Sequence, residues 1–213
     1  MVYYRRKLPH LQIKGGEYFI TFRLHGSLPQ EVIKSLQRQK KLFKSKLNKD
    51  KSLSSDILKY EAKFFLKYEE LLENNSFGPT WLSEPHIARI VAESIHFRDQ
   101  KEYDLYAFCI MSNHVHLVFR HLETFIPANS KEPIVTNILR RLKRFTGLNC
   151  NRALQRNGAF WHPESYDRLI RDNNELENVI AYTLNNPVKA NLTAHWKDWP
   201  NSYCKPEFLD DFK

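Results

Sequence analysis

Residues 17–24, EYFITFRL, alternate in polarity and are rich in aromatic and β-branched side chains, the pattern of a strand, and Gly15-Gly16 before them marks a turn. From Glu31 to Asn75 the pattern becomes helical and highly charged, broken near NKDKSLSSD. It predicts a hairpin of two long helices, with Leu58, Phe65 and Leu72 in a packing stripe on the second. In SEPHIARIVAESI, Ser83 is a plausible N-cap, Pro85 suits a first turn, and Ile87, Ile90, Val91 and Ile95 keep helical spacing. YDLYAFCIMSNHVHLVFR supplies two apolar runs split by Met111-Ser112-Asn113, which reads as two adjacent antiparallel strands. Residues 134–148 form an amphipathic helix: Ile134, Ile138, Leu142 and Phe145 face inward, Arg140, Arg141 and Arg144 face out, and Gly147 terminates it. A last helix, NNELENVIAYTLNN, opens on Asp172 with Glu175 at capping-box spacing and is ended by Pro187. These elements predict an α+β fold with helices packed on one face of an antiparallel sheet. The whole chain, 1–213, reads as one domain with a helical insertion at about 31–75.

Charge narrows the partners. The net charge of the 213 residues is +9, and residues 1–50 alone hold 12 Lys/Arg against 3 Asp/Glu, so the remainder balances. A basic segment of that kind calls for a polyanion, nucleic acid or an anionic membrane surface, unless it is a solvated lysine-rich helix. No apolar run approaches the roughly 20 residues that span a bilayer. The basic, aromatic start, MVYYRRKLPHLQIKGG, lacks the apolar core of a leader. Three cysteines without CxxC spacing read as free thiols in a reducing cytoplasm.

Candidate chemistry centres on SNHVHLVF. In a strand His114 and His116 project from one face, roughly 6.5–7 Å apart along the chain, and can converge on one ion. Val115, Leu117 and Phe119 take the opposite, core side. In the last helix Tyr182 and Asn186 are four residues apart and share one rim of the stripe Leu176, Val179, Ile180, Thr183 and Leu184. Each also has a plain reading, as a rim tyrosine and as an asparagine before a proline. Cations and aromatics for a nucleic acid are available in the N-terminal arm (Tyr3, Tyr4, Arg5, Arg6, Lys7) and on one helix (Arg140, Arg141, Lys143, Arg144). Arg168 and Arg171 either contact DNA or serve structure. Trp161 and His162 either stack on bases or pack, and for Trp161 core is the commoner fate.

SNHVHLVF resembles the His–hydrophobic–His motif of single-tyrosine HUH nucleases. The wider frame resembles REP-associated tyrosine transposases, relatives of small insertion-sequence transposases. The matching pieces run in family order from about residue 4 to 204: IKGGEYFITFRL, FCIMSNHVHLVF, FWHPESYDRLIRD, VIAYTLNNPVKANL and DWPNSY. The 31–75 hairpin has no counterpart in that frame. The resemblance implies a ferredoxin-like nuclease core, with His114, His116 and Asn186 binding a divalent metal and Tyr182 as the nucleophile. It further implies nicking and joining of single-stranded or hairpin (REP-like) DNA through a 5′-phosphotyrosine. Imidazole pairs alone suit zinc or copper, whereas an asparagine oxygen and a phosphate substrate favour Mg²⁺ or Mn²⁺. Many insertion-sequence relatives carry Gln where Asn186 stands. Tyr166 is the competing tyrosine and has no ligand partner four residues on. A cytoplasmic protein acting as monomer or homodimer, with no membrane partner, is the expectation. The alternatives are a hairpin-binding protein of the same fold without effective cleavage, and a water-using phosphohydrolase that would not need Tyr182.

Overall fold

The structure, a computed structural model, describes residues 2–5, 9–47, 54–73, 77–126 and 132–212. It divides into two compact units, residues 1–24 with 80–213, and residues 25–79.

The first unit begins with a two-stranded antiparallel ribbon, β1 (Val2–Arg5) and β2 (Pro9–Gln12). Its main sheet is built from β3 (Glu17–Leu24), β4 (Tyr103–Ile110), β5 (His114–His121), β6 (Trp161–Leu169) and β7 (Ser202–Cys204). The helices are α3 (Pro85–Arg98), α4 (Ile134–Ala153) and α5 (Asn173–Lys189). The order across the sheet is β6-β3-β5-β4-β7 and every pairing is antiparallel. The chain thus runs strand–helix–strand–strand–helix–strand in the ferredoxin-like order, with β7 added at one edge.

Parity decides what each face carries. Tyr18, Ile20, Phe22 and Leu24 of β3 and Val115, Leu117 and Phe119 of β5 join Ile87, Val91 and Ile95 of α3 and Val135, Ile138 and Leu142 of α4 in one core. Burying each such side chain contributes roughly 1.5–3 kcal/mol. Tyr103 caps this packing by donating its hydroxyl to the Ile95 carbonyl at 2.7 Å. Trp161 belongs to the same core, its indole N–H on Thr146 Oγ1 at 2.8 Å and its ring against Phe22. Helices on one face therefore describe α3 and α4; α5 lies over the other face, that of Phe19, Thr21, His114 and His116.

Several boundaries differ from the sequence reading. Glu84, not Ser83, precedes α3, because Trp81–Ser83 form a short 3-10 turn. Gly147 does not end α4: it is buried within the helix, on the side that faces Phe160 and Trp161. Phe145 is 53% exposed, not inward, since Ile138, Leu142, Thr146 and Cys150 define the stripe that meets the sheet. Pro187 sits inside α5, which ends at Lys189. Strands β1, β2, β6 and β7 were not anticipated. β6 contains Pro163 and the charged Glu164, Asp167 and Arg168, which an outer strand tolerates because one edge needs no partner.

The second unit holds α1 (Gln30–Leu47) and α2 (Ser54–Glu73), joined across residues outside the described set. Leu36 of α1 and Phe65 and Leu72 of α2 are buried. Its base is closed by two glycines. Gly78 has a positive φ, and a Cβ there would stand 2.2 Å from the Gly26 carbonyl oxygen.

Candidate metal and tyrosine site

β5 presents His114 and His116 on one face, and both are fully buried. Their Nε2 atoms stand 3.0 Å apart. Each Nδ1 has its own partner: Asn113 Oδ1 at 2.6 Å for His114, and Thr21 Oγ1, from the neighbouring β3, at 3.0 Å for His116. A carbonyl oxygen only accepts, so His114 carries its proton on Nδ1 and its Nε2 is a bare lone pair. Thr21 can donate or accept, so His116 can either donate from Nε2 to His114 or turn a second lone pair toward it. Partners of this kind fix the tautomer and aim of metal-binding imidazoles.

Burial keeps the pair neutral, which ligation requires. It pushes His114 down to about 3. His116 is held well below the usual range, first by burial and then by His114. Lys189 acts in the same direction and Asn186 opposes it.

α5 brings the other two residues to this face. Asp172 caps the helix by accepting from the Glu175 N–H at 2.8 Å. Three turns on, the Tyr182 ring lies edge-on to His116 (centroids 5.6 Å) and to Phe19 (6.0 Å), while Phe19 stacks on His116 at 5.7 Å. The Lys189 ammonium is 5.8 Å from the Tyr182 ring centre. Asn186 is buried one turn after Tyr182, beside His116, and its Oδ1 makes no well-formed hydrogen bond among the described residues. A buried amide carbonyl beside the His116 ring, together with the His114 nitrogen 3.0 Å from His116, is a donor set a divalent cation can take. Two nitrogens 3.0 Å apart subtend about 90° at an ion roughly 2.1 Å from each, the distance common to Zn²⁺–N and Mg²⁺–O bonds. His114, His116 and Asn186 therefore fit such an ion.

The basic residues singled out from sequence do not gather at this site. Arg140 pairs with Glu132 at 3.0 Å and Arg141 with the buried Glu102 at 3.2 Å. Lys143 donates to the carbonyls of His162 and Glu164 and to Ser165 Oγ. Burial, then the nearby Arg23, pushes its ammonium down to about 7. Arg144 has no bonded partner among the described residues. Arg140, Lys143 and Arg144 line a cleft of about 520 Å³ between α4 and β6, on the sheet face opposite the imidazoles. Arg168 and Arg171 both bind Glu175, tying the end of β6 to the first turn of α5. Arg5 pairs through its backbone with Pro9 in the β1–β2 ribbon, and Arg6 and Lys7 lie outside the described residues. Sequence reasoning missed Thr21, Asn113 and Phe19. Asn113 directly precedes His114 and could have been suspected; Thr21 and Phe19 depend on strand register.

Comparison with known proteins places this geometry in context. No family model matches the chain. A Haemophilus influenzae protein with the provisional name REP-associated tyrosine transposase is 31% identical over 107 residues, 47% of this chain and 58% of the relative. The chain thus matches little more than half the length of that relative. A solved structure of a REP-associated tyrosine transposase bound to a REP hairpin aligns with a TM-score of 0.56 at 16% identity, over 100% of this chain and 88% of that one. At that identity it bears on the fold alone, and the α+β fold is shared. The sequence resemblance to REP-associated tyrosine transposases is thus met by a curated relative over part of its length, and the solved structure shares the fold. Among the described residues no helix is long and apolar enough to cross a membrane.

Proposed function

We propose that this chain nicks and rejoins single-stranded DNA next to a hairpin, through a covalent link to Tyr182 and with a divalent cation held by His114, His116 and Asn186. The observation that carries the reading is the Tyr182 ring lying 5.6 Å from the His116 ring, with the buried Asn186 side chain one turn away beside the same imidazole. The names of the relatives, a tyrosine transposase and one bound to a REP hairpin, support the same substrate class.

The chemistry follows from the side chains. Tyr182 Oη attacks the phosphorus of a phosphodiester; the P–O3′ bond breaks as the Oη–P bond forms. The phenolic proton passes to solvent, and the departing 3′ oxygen takes up a proton to become a 3′-hydroxyl. A phenol is a weak nucleophile at neutral pH unless its target is activated. A bound Mg²⁺ or Mn²⁺ would supply that activation by drawing charge from a non-bridging phosphate oxygen. Neutral His114 and His116 keep their nitrogen donors available, Asn186 contributes an oxygen, and Lys189 adds positive charge beside the attacking ring. The phosphotyrosine preserves one phosphodiester for one, so attack by a second 3′-hydroxyl reverses the step and joins strands without ATP. Asp172 and the arginine–Glu175 pairs hold α5 so that ring and ligand stay on the imidazole face.

Labelled hairpin oligonucleotides with single-stranded flanks, incubated with Mg²⁺ or Mn²⁺, should give a denaturant-resistant protein–DNA adduct. Tyr182→Phe abolishes it and Tyr166→Phe retains it. Cleavage without an adduct would instead support a water-using hydrolase, and binding without cleavage in either metal would support a hairpin-binding protein.

A further inference from the structure

The face that carries the imidazoles holds a second tyrosine. Thr21 is paired across β3 with His116 on one side and with Tyr166 of β6 on the other, so the three stand in one row on one face. Phe19, the next residue of β3 on that face, stacks on His116 and meets two tyrosines edge-on: Tyr182 at 6.0 Å and Tyr166 at 6.5 Å. Tyr182 and Tyr166 thus flank a single phenyl ring, one over the imidazoles and one toward the outer strand of the sheet. Tyr166 is half-buried, and Arg168 beside it on the same face is held by Glu175.

We propose that Tyr166 is a binding residue for the single-stranded part of the substrate, its ring stacking on the base next to the phosphate that Tyr182 attacks. This rests on the nuclease reading of Tyr182. Single-strand binding proteins hold bases on aromatic faces because every base has a π-face to offer, whereas the phosphates need only diffuse positive charge. A ring on an outer strand, one phenyl removed from the nucleophile, meets that need without competing for the phosphate. The ring is required and the hydroxyl is not.

The test measures binding in EDTA, so that cleavage does not intervene, with labelled hairpins that carry or lack a short single-stranded extension. Tyr166→Ala should weaken binding of the extended hairpin about tenfold, the loss of one base–aromatic stack, and leave the hairpin without extension within about twofold. Tyr166→Phe and Tyr166→Trp should bind the extended hairpin like the wild type. Tyr166→Leu, which keeps an apolar contact with Phe19, should behave like the alanine variant, so the comparison survives if alanine impairs folding. Equal weakening on both DNAs, or none on either, would overturn the proposal. A phenylalanine variant as weak as alanine would do the same by assigning the role to the hydroxyl. Wild-type protein that binds neither DNA would refute the nuclease reading itself; wild-type binding with indifferent Tyr166 variants would refute this inference alone.

Discussion

At the scale of single residues, buried groups behind the two imidazoles position them. Thr21 is fully buried, and its hydroxyl serves His116 Nδ1. Thr21→Val keeps the shape of the side chain and removes that bond, so His116 loses the partner that holds its ring in place. The expected result is a ten- to hundredfold loss of Mn²⁺ affinity, the usual cost of removing such a partner, in a calorimetric titration with the fold intact by circular dichroism. Affinity equal to wild type would mean that the hydroxyl does not orient the ring. The imidazole pair itself was legible, because a strand's period of two puts His114 and His116 on one face whatever the fold. Helical spacing made Tyr182 and Asn186 legible in the same way. Thr21 and Phe19 were not, since their relation to His116 arises from a pairing between segments about 95 residues apart. The cations of α4 were legible as a cluster, but not that Arg140, Arg141 and Lys143 are engaged by groups of the protein's own.

Elements are held together by histidines as well. His121, at the end of β5, accepts from the Gly15 N–H through Nδ1 and so ties the turn before β3 to the neighbouring strand. His96 of α3 packs edge-on between Phe108 and Tyr203. Burial of His121 and partial desolvation of the more exposed His96 lower both from their ordinary value, against opposing pulls from the Phe125 carbonyl and Glu123 on His121 and from Asp99 on His96. Both therefore take up a proton in the unfolded chain, near pH 6.5, before they do in the folded protein. Stability is complete above about 6.5 and declines as pH falls below it toward the lowered folded values. Urea midpoints in EDTA should drop between pH 7.5 and 5.5, and His121→Gln, which retains an acceptor but does not titrate, should reduce the drop. A midpoint independent of pH over that range would contradict it. Among the elements, the long periodic ones were legible and the outer strands were not. β6 mixes Pro163 with the charged Glu164, Asp167 and Arg168, and its strand identity comes from the partner on one edge rather than from its own pattern. α4 overran its expected end because burial against Phe160 and Trp161 outweighs the helix penalty of Gly147, which is only about 1 kcal/mol.

For the whole molecule, the division into units has a direct consequence. Both ends that flank residues 25–79 are anchored on one turn of the first unit: the Leu24 N–H donates to the Asn113 carbonyl at 2.8 Å and the Leu82 N–H to the Ser112 carbonyl at 3.1 Å. Replacing residues 25–79 by a short Gly/Ser linker should leave a protein that unfolds in one cooperative transition, read by near-UV circular dichroism during heating. A product without a near-UV spectrum or a sharp transition would show that the second unit is needed to complete the fold. Charge is as unevenly shared as structure, with the entire net +9 contributed by the first 50 residues. That much was readable from composition, whereas the crossing of the chain that sets Tyr182 against His116 was not.

The measurement that bears most directly on the central claim is the identity of the residue that carries DNA after cleavage. Protein reacted with a flanked hairpin and Mn²⁺, digested with protease and nuclease, should yield a peptide spanning Tyr182 whose mass is increased by a nucleotide joined through its 5′ phosphate. The same mass on the peptide containing Tyr166, or cleaved DNA with no modified peptide, would contradict the account.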